Sequence, residues 1–107
     1  MFNRRFRMRD GSVRTNPGSG NPDVVEAAGP VDPEVGVLSL RDDAGATIGL
    51  LGNYALHYVG GGDHERAVSA DYFGWFSQFV QALQGETFVA ALSNGACGDI
   101  NNNDVLG

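Results

Sequence analysis

Apolar residues form short runs in the second two-thirds of the chain. Residues 35–40 read Val-Gly-Val-Leu-Ser-Leu and residues 47–55 are largely apolar, which is typical of two β-strands. The intervening Asp42-Asp43-Ala44-Gly45 predicts a turn, so we expect a β-hairpin. Because apolar residues are continuous in the second strand, we expect that strand to be buried on both faces and central in a sheet.

The pattern then changes to helical spacing. Residues 59–67 predict a flexible loop, Ser69 is a candidate helix N-cap, and Gly85 is a candidate stop. Five residues are expected on one helical face: Tyr72, Phe76, Phe79, Val80 and Leu83. A short apolar strand over 87–92 follows. The order β-β-α-β predicts the α/β class, with a partial mixed sheet in which a β-hairpin is followed by a βαβ crossover.

Residues 1–34 are predicted to be an irregular segment that precedes the β-β-α-β core of residues 35–107. Four prolines interrupt this segment and push the residues before them toward extended conformations: Pro17, Pro22, Pro30 and Pro33. A long irregular segment usually wraps over a larger body or carries function. Because a small sheet with an apolar central strand needs covering on both sides, we expect residues 1–107 to be a slice of a larger domain.

Charge is unevenly distributed in a chain whose formal net charge is −6. Five of the seven basic residues lie within the first 14 positions: Arg4, Arg5, Arg7, Arg9 and Arg14. A basic arm can grip nucleic acid, but this one lacks aromatic residues suited to base stacking and precedes an acidic body. We therefore expect no nucleic-acid partner. Some of these arginines should pair with acidic residues, and one or two should face a substrate.

Other function classes are limited by what the sequence lacks. No apolar run is long enough to span a membrane, so we expect no transmembrane segment. The basic N-terminus is not followed by the apolar region of a signal peptide. The single cysteine excludes an internal disulfide, and we expect Cys97 to be a small buried residue. The oligomeric state stays open.

Candidate site residues lie at a strand end, a helix start and a glycine-framed loop. In α/β domains these are the places where ligands and metals usually bind. His57 ends the second strand, although a lone histidine there is more often a hydrogen-bonded structural residue than a metal ligand. His64 in the glycine loop is expected to be solvated. The carboxylate of Asp71 could interact favourably with the positive end of the helix dipole, or it could orient a metal-binding histidine.

An ordered set of motifs resembles a known family. The motifs are Asn3-Arg4-Arg5, the Asn16-Pro17 region, residues 29–38, Asn53-Tyr54-Ala55-Leu56-His57, Ser69-Ala70-Asp71-Tyr72 and Gly98-Asp99-Ile100-Asn101. In this order they resemble the N-terminal catalytic domain of neutral/alkaline non-lysosomal ceramidases, especially the bacterial ceramidase-like relatives. The resemblance covers essentially the whole chain but only a middle slice of that domain.

The resemblance implies a zinc-dependent hydrolase of N-acyl bonds that acts on a small-molecule or lipid substrate. His57 matches one of the family's two zinc-binding histidines. The other histidine would precede Met1, and a glutamate and a tyrosine ligand would follow Gly107. Arg4 matches an arginine at the active-site mouth, and Asp99 and Asn101 belong to the matching glycine loop. The resemblance therefore implies that Arg4, Asp99 and Asn101 are the catalytic residues. The family also suggests a secreted or periplasmic full-length protein.

One departure from the family pattern concerns the loop that begins at Gly98. The family reads Gly-Asp-Val-Ser-Pro-Asn, with a serine implicated in catalysis, whereas this chain has Asn101 at that serine position. Asparagine cannot act as the nucleophile, but it can donate a hydrogen bond to a developing oxyanion. Attack by metal-activated water would survive the change. Two alternatives remain open: a catalytically silent lipid- or carbohydrate-binding relative, and an inactive truncated remnant.

Overall fold

The structure, a computed structural model, describes residues 1–60 and 68–106. This part of the chain forms the following elements: β1 (Phe2–Asn3), β2 (Arg5–Met8), β3 (Val13–Thr15), β4 (Val24–Ala27), β5 (Val35–Arg41), β6 (Thr47–Tyr54), α1 (Asp71–Gln84), β7 (Val89–Asn94) and β8 (Ile100–Asn101). The chain divides into two compact units. Unit 1 contains Met1–Pro33, Ala55–His57 and the residues from Ala96 onward, and unit 2 contains the described residues of Glu34–Tyr54 and Tyr58–Gly95.

Unit 2 has the predicted α/β architecture. Its sheet has the order β5-β6-β7, in which β5 and β6 are antiparallel and β6 and β7 are parallel. The helix α1 joins the two parallel strands, because a parallel pair needs a long crossover connection. The hairpin, the βαβ connection and the central position of the second strand are therefore confirmed.

The hairpin turn forms as the sequence predicts. The carbonyl of Asp42 accepts a hydrogen bond from the Gly45 N–H at 2.9 Å, and its side chain accepts one from the Ala46 N–H at 2.8 Å. Gly45 has φ of +84°, a conformation that glycine adopts without a steric penalty. The Asp-Gly combination thus fixes the register of β5 against β6.

The helix begins at Asp71, and its N-cap position is Ala70 rather than Ser69. Ser69 still contributes, since its hydroxyl accepts a hydrogen bond from the Asp71 N–H at 3.0 Å. At the other end the N–H of Gly85 donates to the Gln81 carbonyl at 2.8 Å, so Gly85 ends the helix as predicted. In the described part of the chain, no helix combines the length and apolar character needed to cross a membrane.

The predicted apolar face of α1 is partly wrong. Ser77 and Gln81 donate side-chain hydrogen bonds to the carbonyls of β7 residue Ala90 and of Phe88, so the sheet lies against this side of the helix. Phe79 and Leu83 are instead 65% and 82% exposed. The apolar face of α1 is wider than the part of the helix that this narrow sheet can cover. The apolar side chains beyond the sheet therefore face solvent.

Burial of β6 on both faces is also wrong within the described residues. Gly52 faces the helix, since a Cβ on it would meet the Phe76 ring at 3.2 Å. The alternate positions face the other way, and there the cross-strand rows Leu38–Leu51–Ala91 and Leu40–Gly49–Val89 form an apolar surface. The leucine and valine side chains of this surface are exposed. Among its described residues unit 2 has one helix, and that helix covers one face of the sheet.

Residues 1–34 are not irregular, which corrects the prediction. Strand β2 pairs with β3 and β4 in an antiparallel sheet of order β3-β2-β4. The sequence Arg5-Phe6-Arg7-Met8 alternates exposed and buried side chains, as a half-buried strand requires. Phe6 is only 2% exposed and packs with Met8 and Val105 in the small core of unit 1.

The arginines of the basic arm are mostly engaged within unit 1. Arg7 pairs with Glu26 at 3.3 Å and Arg14 pairs with Asp10 at 3.1 Å, while Arg9 donates to the Pro22 carbonyl. Hydrogen bonds from the Ser12 side chain and backbone, followed by the Arg14 guanidinium, lower the pKa of the Asp10 carboxyl. Strand geometry explains the positions of Arg5 and Arg7, because the alternate side chains of β2 are exposed.

We expect Phe6→Ala to destabilise unit 1 by roughly 3 to 5 kcal/mol, because it leaves a cavity in a very small core. The matched control is Phe79→Ala, which removes an exposed ring and should change stability by less than about 0.5 kcal/mol. Urea unfolding combined with amide hydrogen exchange of β2 measures both effects. An equal decrease in the free energy of unfolding for the two variants would contradict the proposed core.

Candidate active site

The candidate site is built where β1 pairs with β8. In this antiparallel pair Phe2 lies opposite Asn101, and Asn3 lies opposite Ile100. The N–H of Arg4 donates to the Asp99 carbonyl at 2.7 Å. This pairing brings the three predicted catalytic residues, Arg4, Asp99 and Asn101, together in unit 1.

Arg4 holds the glycine loop through its side chain as well as its backbone. Its guanidinium donates a hydrogen bond to the Gly98 carbonyl, and its own carbonyl accepts one from the Asn16 N–H at 2.7 Å. The side chain is half-buried. A guanidinium carries five N–H donors, so the bond to Gly98 leaves others that can bind a carbonyl oxygen or a polar head group.

Asn101 is a buried polar residue with 7% of its surface exposed. Its Nδ2 donates to the Asn16 side-chain oxygen at 3.4 Å, which is a long and weak hydrogen bond. Its Oδ1 accepts the N–H of Asn102 at 2.8 Å. The carboxamide is therefore oriented by its neighbours, and a side-chain amide has a second N–H that can serve another acceptor.

Asn3 belongs to this site, although its sequence motif predicted no role for it. It is 3% exposed, and its Nδ2 donates to Asp99 Oδ2 at 2.9 Å. The available signal was its place directly before Arg4 in a motif already singled out. An asparagine on the buried side of a short strand needs hydrogen-bond partners, and Asp99 supplies one of them.

An apolar pocket of about 290 Å³ lies beside this cluster within unit 1. Its apolar lining includes Phe2, Phe6, Ala27, Pro30, Val31 and Leu106, and Asn3 and Asp104 are the polar residues in its wall. A dry apolar cavity of about 150 Å³ holds a benzene molecule. The pocket therefore has room for roughly twice as many carbon atoms as a benzene molecule contains.

A second, more polar recess of about 190 Å³ also includes Asn3 in its lining. Asp99 lines this recess together with Arg5 and Arg7 of β2. Asn3 thus contributes to both the apolar pocket and the polar recess. Small-molecule sites commonly combine an apolar cavity with a few converging polar groups, as this region does.

His57, the predicted zinc ligand, belongs to unit 1 and is half-buried. It lies three residues after Tyr54, the last residue of β6, which confirms its placement near a strand end. Within residues 1–60 and 68–106, no three His, Cys, Asp or Glu side chains come together in a way that could hold a metal ion. Zinc requires three or four ligands, so these residues alone do not fit a zinc site and can contribute His57 only.

The helix-start residues belong to unit 2. Asp71 accepts hydrogen bonds from the N–H groups of Tyr72 at 2.8 Å and Val59 at 3.4 Å, which agrees with a role at the helix N-terminus. At the end of β7 the Tyr72 hydroxyl donates to Asn94 at 3.4 Å. The structure therefore brings Arg4, Asp99 and Asn101 together in one unit, whereas Asp71 belongs to the other.

Two further residues singled out in the sequence have different outcomes. Cys97 is a free thiol and is half-buried rather than buried, because it lies in the loop before β8 instead of in the core. His64 and most of the predicted loop, residues 61–67, lie outside the described residues.

No family model matches the chain, and no curated protein or solved structure gives a significant match. The resemblance to neutral ceramidases therefore stays a prediction that depends on the quoted motifs. The polar cluster and the apolar pocket do not depend on it, since both follow from the contacts of this chain.

We expect the 107-residue chain to bind zinc weakly, because it carries only one of the four ligands that the resemblance implies, and zinc needs three or four. Isothermal calorimetry with zinc chloride should show no stoichiometric site of submicromolar affinity. His57→Ala should leave the weak binding unchanged within about twofold, since a single ligand adds little. A tight site that this substitution abolishes would contradict the assignment of the remaining ligands to residues outside this chain.

Proposed function

We propose that this chain forms part of the active site of a zinc-dependent amidohydrolase that resembles neutral ceramidase. The reaction would be hydrolysis of an N-acyl amide or a related ester bond by metal-activated water. The observation that supports this proposal is that Arg4, Asp99 and Asn101 lie together in unit 1, and that Asn3, which donates to Asp99, also lines the apolar pocket. An apolar pocket that is connected to these polar groups through Asn3 suits a substrate with a fatty tail and a polar amide.

His57 would supply one imidazole to the metal, with the remaining ligands outside this chain. When bound, zinc polarises the substrate carbonyl and lowers the pKa of a water molecule. The residues described here have other tasks, which are to bind and orient the substrate. Their preorganisation does not depend on the metal, because hydrogen bonds within unit 1 hold them.

Arg4 and Asn101 are suited to stabilising negative charge. Arg4 is anchored by its bond to the Gly98 carbonyl, and Asn101 by its contacts with Asn16 and Asn102. Donors that are already fixed in position need no reorganisation when charge develops on a carbonyl oxygen, and this makes them effective. Asp99 could accept a hydrogen bond or a proton from the polar end of the substrate.

A second candidate function is non-catalytic binding of a lipid. The supporting observation is that residues of unit 1 line the apolar pocket, which needs no metal to bind an apolar chain. A relative that retained the pocket but not the catalytic metal site would bind a lipid without hydrolysing it. Turnover of a panel of N-acyl amides and esters distinguishes the two candidates.

Asn101→Ala in the complete polypeptide should lower turnover by about 100- to 1000-fold, as loss of one oxyanion donor typically does. Zinc content should stay unchanged, and Asn101→Ser should keep partial activity. Asn103→Ala is the matched control, because this asparagine in the same loop is exposed. A zinc-loaded protein that hydrolyses nothing on the panel, with none gained by Asn101→Ser, would favour the non-catalytic lipid-binding relative.

His57→Ala in the complete polypeptide should remove most of the zinc and most of the activity, because the ion loses one of its ligands. Metal content by mass spectrometry and hydrolysis rates should fall together. The control is Cys97→Ser, which should retain nearly full activity. Loss of hydrolysis in Cys97→Ser with zinc still bound would point to a thiol mechanism instead.

A further inference from the structure

The carboxamide of Asn3 connects three separate segments of unit 1. Its Nδ2 donates to Asp99 Oδ2 at 2.9 Å and to the Pro30 carbonyl at 3.3 Å. Its Oδ1 accepts the N–H of Arg5 at 2.9 Å. Rotation of this amide would break several hydrogen bonds in a site that is almost closed to water, and each broken bond would leave a buried polar group unsatisfied.

The residue opposite this amide has no side chain, which allows the close approach. A Cβ placed on Gly29 would lie 3.1 Å from Asn3 Nδ2 and 3.6 Å from Asp99 Oδ2. The first distance is tighter than ordinary van der Waals contact. The backbone of Gly29 lies outside the left-handed region, so alanine can adopt its conformation. The effect of Gly29→Ala would therefore come from the contact of the new Cβ with the Asn3 amide.

We propose that Asn3 is a positioning residue that fixes the Asp99 carboxylate for catalysis. The inference rests on the proposed function, because Asn3 would act through Asp99, and the catalytic role of Asp99 is part of that proposal. Asn3 holds one carboxylate oxygen while lining both the apolar pocket and the polar recess. It therefore sets the orientation of Asp99 at the place where the two cavities share a wall.

The loop backbone is held separately from the carboxylate. Arg4 binds the carbonyls of Gly98 and Asp99 through its guanidinium and its N–H. Loss of the Asn3 amide should consequently release the Asp99 side chain while the loop keeps its path. Substrate binding should then change little, and the chemical step should slow, because a displacement of about 1 Å at a reacting group can cost about 100-fold in rate.

The test uses Gly29→Ala, Asn3→Ala and the double variant in the complete polypeptide, with rates normalised to zinc content. We expect each single variant to lower kcat, by up to about 100-fold, with KM changed less than about threefold. In the Asn3→Ala background, Gly29→Ala should have almost no further effect, because its steric target is gone. Gly36→Ala is the matched control, since a Cβ there meets Asn53 at an ordinary 3.8 Å.

Additive losses in the double variant, or losses in KM rather than kcat, would overturn the positioning role. A purely structural role would lower the unfolding midpoint without changing kcat per folded, zinc-loaded molecule. That last result would assign Asn3 to stability alone.

A second measurement does not need enzymatic activity. In the NMR spectrum of the 107-residue chain, the side-chain amide resonances of Asn3 should shift in Asp99→Ala and stay unchanged in Asp43→Ala, which alters an exposed turn. An unshifted amide would refute the hydrogen bond itself. A complete polypeptide without hydrolase activity would refute the proposed function, and this measurement would still decide whether Asn3 holds Asp99.

Discussion

The short antiparallel contact between β1 and β8 is the constraint on which unit 1 depends. It joins residues from opposite ends of the described chain, and its Asn3–Asp99 hydrogen bond links positions 96 residues apart. The same contact buries Ile100 and places Arg4 against the glycine loop. Without this closure the candidate residues would be distant points on a chain rather than one polar cluster beside a pocket.

The departure at Asn101 has a different meaning once its surroundings are known. A serine nucleophile needs a free hydroxyl and a nearby base. The asparagine at this position is buried and oriented by Asn16 and by the backbone of Asn102, which suits a fixed hydrogen-bond donor. In the proposed hydrolase the attacking group would therefore have to come from elsewhere than this position.

The core elements of unit 2 could be predicted because their signals are local. The Asp-Gly turn ending at Gly45 and the apolar run of β6 each act within a few residues, and both formed as expected. The exposure of Phe79 depends on how wide a sheet covers α1, which no local pattern contains. The alternation around Phe6 was a local signal for β2, but the charge of the flanking arginines concealed it.

The candidate site was harder to predict than the fold. Arg4, Asp99 and Asn101 came from motif resemblance, and no spacing rule could have paired β1 with β8, since each strand has two residues. The role of Asn3 was hidden for the same reason. Its partners Asp99 and Pro30 are close only after the chain has folded.

One face of the β5-β6-β7 sheet is exposed among the described residues, and this affects the behaviour of the chain in solution. Leu38, Leu40 and Val89 present apolar surface to water, and such surfaces favour self-association. A formal net charge of −6 opposes this by mutual repulsion between copies. Because salt screens that repulsion and leaves apolar attraction intact, the colloidal stability of the isolated chain should decrease as ionic strength rises.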